Sequence, residues 1–422
     1  MNNFTKETYQ TKREILTFSK KIAKGTRKPT FKFIQDMTYG LLASKNCYLS
    51  EIARLLNEPI KLSYTIDRLS SNLMNLDNNE KEKIKCNYNE EVMKLLPEEY
   101  VIVLNDDTDL NKEYSKKLED LSIIRDASSQ TEKFVNGYKV CEYTALSMNK
   151  RSPISLYSQI YSTTSADFVS ENNETLKGEQ YVINLLESYN KKPIFIRDRG
   201  YDANEYFIKD IKENNKFVTR LKGNRYLLFK NKRRIVEEIA KSRKGKIVTK
   251  LMYRGENKEC SISYTKVKLP AYSKTEISLV IVYGLSEEPM LLLTNLEVKD
   301  KESAEHIARL YFLRWRIEEY FKAKKSYNWE NSLVRTINSM NNLNLILSIS
   351  MLYLTILTEK LDTNFHSNII LERAKSLKEK ALVYLSVMGT GIVEILKNAR
   401  TGIREWQHIE KRNKYQQLEL KL

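Results

Sequence analysis

The chain has 422 residues, 41% of them hydrophobic, which suits two or three domains with a sizeable buried core. Its 71 Lys and Arg against 54 Asp and Glu leave a formal charge of +17, which favours a polyanionic partner, most simply nucleic acid. No uncharged apolar run is long enough to cross a membrane, the N-terminus has no signal-peptide core, and four scattered Cys and three scattered His give neither a disulfide framework nor a zinc site.

Residues 1 to about 95 read as helical and mostly polar. Within them YLSEIARLLNEPIKLSYTIDRLSSNL, residues 48–73, reads as a helix-turn-helix. Ser50 is its candidate N-cap, Ile52, Leu55 and Leu56 form an apolar face, and Asn57 to Pro59 break the helix. The second helix is expected to expose Tyr64, Thr65 and Arg68 and to bury Ile66 and Leu69, a geometry suited to a major groove. An ordinary helical hairpin explains the same pattern. Residues 76–91 are polar, a linker or an exposed helix.

The next segment, YVIVLNDDTDL (100–110), predicts a strand buried on both faces over Val101–Leu104 and ending in the acids Asp106, Asp107 and Asp109. Residues 137–148 and 153–162 read as two further strands of an antiparallel meander. A helix is expected over 174–190. It leads into PIFIRDRGYD (193–202), where a short strand ends at Asp198, Gly200 permits a tight turn and Asp202 can cap a helix over 203–214. Residues 217–222 form the next strand. From Asn224 to about Thr294 the pattern is strand-rich, interrupted by a basic helical piece, KRRIVEEIAKSRK. A long helix over about 301–327 follows, and helices dominate to the end. The most apolar stretch, Asn344 to Leu357, reads as a buried helix.

On the long helix, Tyr311, Arg314, Glu318 and Lys325 fall within an arc of roughly 60° at about 100° per residue. A carboxylate flanked by a phenol and two cations suits a divalent ion beside a phosphate backbone. Arg314–Glu318 is also an ordinary i,i+4 pair, and Asp106 and Asp198 read singly as a strand-end turn and a helix cap. The order strand–strand–strand–helix–strand–helix–strand, then an insertion, then an acidic helix, is ribonuclease H-like. In that arrangement acids on the first strand, the fourth strand and a late helix converge. Such acids repel unless Mg²⁺ or Mn²⁺ lies between them, two ions about 3.5–4 Å apart in a phosphodiester-cleaving site.

These residues resemble the DDE transposases of the bacterial insertion-sequence-four family, the group that includes the transposon-five transposase. The helix signature Tyr, two residues, Arg, three residues, Glu, six residues, Lys is matched at Tyr311, Arg314, Glu318 and Lys325. The first acid motif is matched by Asp106-Asp107-Thr108-Asp109-Leu110, and the second by Asp198-Arg199-Gly200-Tyr201-Asp202. The resemblance covers about residues 100–345. It implies that Asp106, Asp198 and Glu318 are catalytic and hold two Mg²⁺ or Mn²⁺ ions, with Asp107 the alternative first ligand. It also implies that Tyr311, Arg314 and Lys325 contact phosphate. Arg220 and Lys222, at a strand end beside the site, are further candidate DNA contacts, as is Arg225 more weakly. Trp315, one position off the stripe, reads as core or groove wall. Where some relatives carry a base-stacking Trp, this chain has Met290.

The expected organisation is mixed α/β. Residues 1–95 form a helical DNA-binding region, 96–223 and 295–335 a ribonuclease H-like core, 224–294 a β-rich insertion, and 336–422 a helical region available for dimerisation. The expected activity is cut-and-paste DNA transposition. It acts on terminal inverted repeats and target DNA, through a homodimer in the synaptic complex, in the bacterial cytoplasm at the nucleoid and without a membrane. The alternatives are a ribonuclease H-like nuclease without strand transfer and a catalytically inactive DNA-binding regulator.

Overall fold

A computed structural model describes residues 3–126, 131–149, 151–243, 245–253, 256–375 and 384–397. Five helices open the chain: α1 (Asn3–Ile22), α2 (Lys28–Ser44), α3 (Leu49–Leu56), α4 (Leu62–Met74) and α5 (Asn78–Met93). The expected helical pair is α3 and α4, and Asn57 ends α3 in the left-handed region at φ 47°. Several details differ from expectation. The first helix begins at Leu49 with no side-chain cap, so Ser50 lies inside it. Thr65 is buried, not exposed, because its hydroxyl donates to Glu58 at 2.8 Å, while Ile66 is only half-buried. Residues 76–91 lie mostly in α5, whose Ile84, Tyr88 and Val92 are buried despite its polar composition.

The core sheet follows: β1 (Tyr100–Asn111), β2 (Ser122–Arg125), β3 (Phe134–Leu146), β4 (Pro153–Tyr161), α6 (Glu171–Glu187), β5 (Lys192–Arg197), a 3₁₀ turn at Arg199–Tyr201, α7 (Asn204–Glu213) and β6 (Lys216–Arg220). Its order is β2-β3-β1-β5-β6, with β4 on the free stretch of β3. Strand β1 runs antiparallel to β3 and parallel to β5, and β5 is parallel to β6. This is the mixed α/β, ribonuclease H-like architecture expected. The two-sided burial of Val101–Leu104 is that of a strand between two partners. The strand does not end at the acids: β3 pairs with it as far as Asn111, so Asp106, Asp107 and Asp109 are ladder residues. Strand β2 has no counterpart in the sequence reading.

Seven elements come next: β7 (Tyr226–Phe229), β8 (Lys232–Ile235), α8 (Val236–Lys241), β9 (Ile247–Tyr253), β10 (Glu256–Leu269), β11 (Tyr272–Tyr283) and β12 (Met290–Thr294). They extend the core sheet, because β12 pairs antiparallel with β6 and the order continues β12-β11-β10-β7-β8, with β9 on β10. The basic piece expected to be helical is a strand over Lys232–Ile235 and a helix only from Val236.

The expected long helix is two: α9 (Lys301–Phe312), opened by a capping box at Asp300 and Ser303, and α10 (Trp315–Lys325). Then come α11 (Ile337–Glu359), α12 (Phe365–Arg373) and α13 (Leu385–Leu396). Part of the region from 336 onwards, 376–383 and 398–422, lies outside the described residues. By length and composition α11 could cross a membrane, contrary to the shorter run read from the sequence, yet 89% of its most apolar window is buried inside the structure. It is docked on the edge of β4 by Asn341, whose side chain accepts from the Ile160 N–H at 2.8 Å and donates to its C=O at 3.0 Å. An amide that copies a strand partner in this way satisfies a buried edge without a further strand.

Candidate active site

The parallel register pairs Leu104 with Ile196, which sets Asp106 and Asp198 side by side two residues further along. Asp198 leaves β5 and caps the 3₁₀ turn, accepting from the Arg199 N–H at 2.6 Å. Side chains alternate across a strand, so Asp106 and Asp107 face opposite sides of the sheet. Asp106 faces the corner between α9 and α10, where Arg314 Nη1 donates to it at 3.2 Å. Asp107 instead accepts from the hydroxyls of Tyr161 at 3.3 Å and Tyr201 at 3.4 Å.

The α9–α10 corner is a tightened turn. The N–H groups of Leu313, Arg314, Arg316 and Ile317 each bond a carbonyl three residues back. Arg314 retains helical angles (φ −52°, ψ −36°), so the corner keeps Tyr311, Arg314 and Glu318 together although they no longer share one helix. Arg314 Nη2 donates to Glu318 at 2.6 Å, and the Tyr311 hydroxyl donates to Asp198 at 3.3 Å. Arg220, at the end of β6, hydrogen-bonds the same phenol. Lys325 ends α10 and pairs with Glu330 at 3.1 Å rather than with any of the three acids. Glu319 pairs with Lys322 at 2.9 Å.

Other candidates sit elsewhere. Asp202 does not cap α7, which Ala203 precedes without a side-chain cap; it accepts from the Lys222 N–H at 2.7 Å and binds the Arg225 guanidinium. Lys222 keeps an exposed side chain. Trp315 is 40% exposed, so it is not a core residue, and the Arg314 guanidinium lies 5.6 Å from its ring centre. Met290 is buried at the start of β12. On α4, Tyr64 is exposed, whereas Arg68 is engaged by Asp36 at 2.8 Å and Glu58 at 3.0 Å, both nearly fully buried. Tyr64 and Arg68 do not join the acid site.

The electrostatics follow from burial. Burial pushes the Asp106 carboxyl up to about 7; Arg314 opposes the rise, and Asp107 and Asp198 add to it. Burial alone would pull the Arg314 guanidinium down, but Asp198, Asp106, Tyr311 and Glu318 outweigh it and hold it charged. The site is therefore an excess of negative charge with one cation seated between Asp106 and Glu318.

Two supporting clusters went unseen in the sequence. Lys324 of α10 and Glu142 of β3 form a fully buried pair at 3.0 Å, with Ser155 and Ser158 also donating to Glu142. That pair ties the helix bearing Glu318 to the sheet bearing Asp106. Arg197, one residue before Asp198, is fully buried between Glu179 of α6 and Asp210 of α7. A Lys or Glu at these positions looks solvent-bound in a sequence; only the pairing licenses its burial.

Carboxylates are the ligand type a hard divalent cation takes, and Arg314 places positive charge between two of them, Asp106 and Glu318. As arranged, no group of three His, Cys, Asp or Glu side chains among the described residues is close enough to hold an ion.

The family described as Transposase DDE domain matches residues 99–353, more than half of the chain. That span begins just before β1 and ends within α11, so it encloses all three acids and the strand-rich segment between them. No curated protein matches the chain.

Proposed function

The chain belongs to the transposase DDE-domain family, and on that premise we propose that it is a cut-and-paste transposase of the insertion-sequence-four type. Membership makes it a DNA-cleaving transposase, and DDE transposases generally use divalent metal ions. Our finer reading assigns Asp106, Asp198 and Glu318 as the ligands of two Mg²⁺ or Mn²⁺ ions. Bound there, such ions activate the attacking oxygen and stabilise the leaving oxygen of a phosphodiester.

The observation that carries the reading is Arg314 bonded to both Asp106 and Glu318 beneath Tyr311 and Arg220. A guanidinium is a two-pronged phosphate donor. Once a DNA phosphate enters, Arg314 exchanges Glu318 for phosphate oxygens, and Tyr311 and Arg220 add donors on the same side. The protein residues thus position the backbone, while the freed Glu318 closes on the two aspartates. Lys325 extends the basic surface about two turns beyond Glu318. Terminal inverted repeats and target DNA are the proposed substrates, a homodimer the proposed synaptic form, and the bacterial nucleoid the proposed setting.

Strand transfer separates this reading from a nuclease of the same fold. With Mg²⁺, pre-cleaved element ends and a supercoiled plasmid, the protein should join the 3′-hydroxyl ends to the plasmid. Nicking without any joined product would make it a nuclease instead.

A further inference from the structure

Hairpin β7–β8 breaks a local rule. Its two-residue turn is Lys230-Asn231, both left-handed, at φ 50° and 60°. Turns of this kind favour Asn, Asp or Gly at both positions. A lysine held there is a strained choice, and strain of this kind gathers where function demands a particular side chain. The residues that follow are Lys232, Arg233 and Arg234. All four cations are exposed, and among the described residues none is paired with a carboxylate. The exposed ring of Tyr226, which pairs with Ile235 across the hairpin, is the diagonal neighbour of Arg233, whose guanidinium lies 4.4 Å from its centre.

The position of the hairpin matters as much as its charge. Its base is anchored beside the candidate active site. Arg225 binds Asp202 in the turn that follows Asp198, and the Val236 N–H bonds the Arg225 carbonyl at 2.8 Å across the hairpin mouth. Four residues of strand carry the tip about 13 Å from that anchor. A duplex whose scissile phosphate lies at Asp198 passes within reach, since one helical turn of DNA spans about 34 Å.

We propose that this hairpin is a second DNA contact, gripping the phosphate backbone of the duplex within about one turn of the cleaved bond, with Arg233 held in place by Tyr226. The proposal rests on the transposase reading above. The competing account is that β8 ends the sheet and its charges only block edge-to-edge pairing. Edge protection needs one or two charges and no particular side chain at the turn.

The test is the salt dependence of binding of the full chain to a duplex of mixed sequence several turns long. Each neutralised phosphate contributes about 0.9 to the slope of log affinity against log salt. In the variant K230Q/K232Q/R233Q/R234Q the slope should become shallower by about 3.6, with at least about tenfold weaker binding at 0.15 M salt. A control removes three lysines outside the N-terminal helices that are paired with carboxylates: Lys133 with Glu113, Lys177 with Glu174 and Lys301 with Glu305. The control should stay near the wild-type slope. The proposal is overturned if the hairpin variant keeps the wild-type slope and affinity, aggregated or not. It is equally overturned if the control shifts as much per charge, because net charge would then explain both. The single variant K230N, which relaxes the turn, gives a second measure free of edge effects; it should lose about one contact's worth of slope, and an unchanged slope counts against the proposal. Failure here with intact wild-type cleavage sinks the hairpin alone, whereas a wild type that binds DNA but never cleaves it sinks the transposase reading.

Discussion

Asp106→Asn should lower DNA cleavage by about a thousandfold or more, while Asp107→Asn should leave most of it. Losing a metal ligand forfeits several kcal/mol of transition-state stabilisation, and about 4 kcal/mol corresponds to roughly a factor of 10³. The two aspartates are sequence neighbours with equal claims on paper; what separates them is that only Asp106 meets Arg314 and the Glu318 helix.

The same substitution carries a stability signature of opposite sign. The Asp106 carboxyl titrates near 7 in the folded chain against 3.8 as a free side chain, chiefly because it is buried. Between those values the folded chain binds the extra proton. The group's favourable contribution is therefore complete below about pH 3.8 and is lost as the pH rises through about 7. At pH 8 and without divalent ions, Asp106→Asn should unfold at higher urea than wild type, by up to about 4 kcal/mol, and the gain should vanish towards pH 4. A variant that is inactive and also less stable at pH 8 would mean that Asn has disrupted the fold rather than removed a ligand.

The second large effect concerns Arg197. It is fully buried with Glu179 and Asp210, and its guanidinium lies 4.5 Å from the Phe195 ring centre. The three charges pin α6 and α7 around the end of β5, which fixes the residue that follows, Asp198. Arg197→Ala leaves Asp210 buried without its ion-pair partner and Glu179 with Lys209 alone, at 3.1 Å, and breaking such a cluster costs about 3–5 kcal/mol. Burial already holds the Asp210 carboxyl up near 7, with Arg197 opposing the rise. Without Arg197 the Asp210 carboxyl must be ionised without its partner at pH 8 but can protonate as pH falls. The deficit in urea unfolding should therefore be larger at pH 8 than at pH 5. Replacing the cluster by Arg197→Met, Glu179→Leu and Asp210→Leu together should recover most of the loss, since apolar residues of similar volume replace buried ion clusters well. A loss for Arg197→Ala below about 1 kcal/mol, with no pH dependence, would show that the cluster does not hold the β5 end.

The parts legible in sequence were those whose signal is local. The apolar run Val101–Leu104, the strand ending at Asp198 and the Tyr–Arg–Glu spacing each announce themselves within a dozen residues. The candidate acids are legible because the chemistry proposed for them draws its residue types into motifs. What stayed hidden depends on partners far away in the chain. Strand β1 runs through the acids because β3 pairs with it there. Thr65 and Arg68 look like groove-facing residues on a helical wheel, yet Glu58 and Asp36 claim them. The break at Leu313–Arg314 leaves no Pro or Gly to betray it. Glu142 and Lys324 are 182 positions apart and read as surface charges until they meet.

The central claim is that Asp106, Asp198 and Glu318 act together on DNA phosphodiesters. It is tested most directly by incubating wild type and Asp198→Ala with a duplex carrying the element's terminal repeat, with Mg²⁺ or with EDTA. Wild type should release a 3′-hydroxyl at the repeat end only with Mg²⁺, and Asp198→Ala should bind the repeat as tightly yet release none. Cleavage by Asp198→Ala at the wild-type rate would contradict the account.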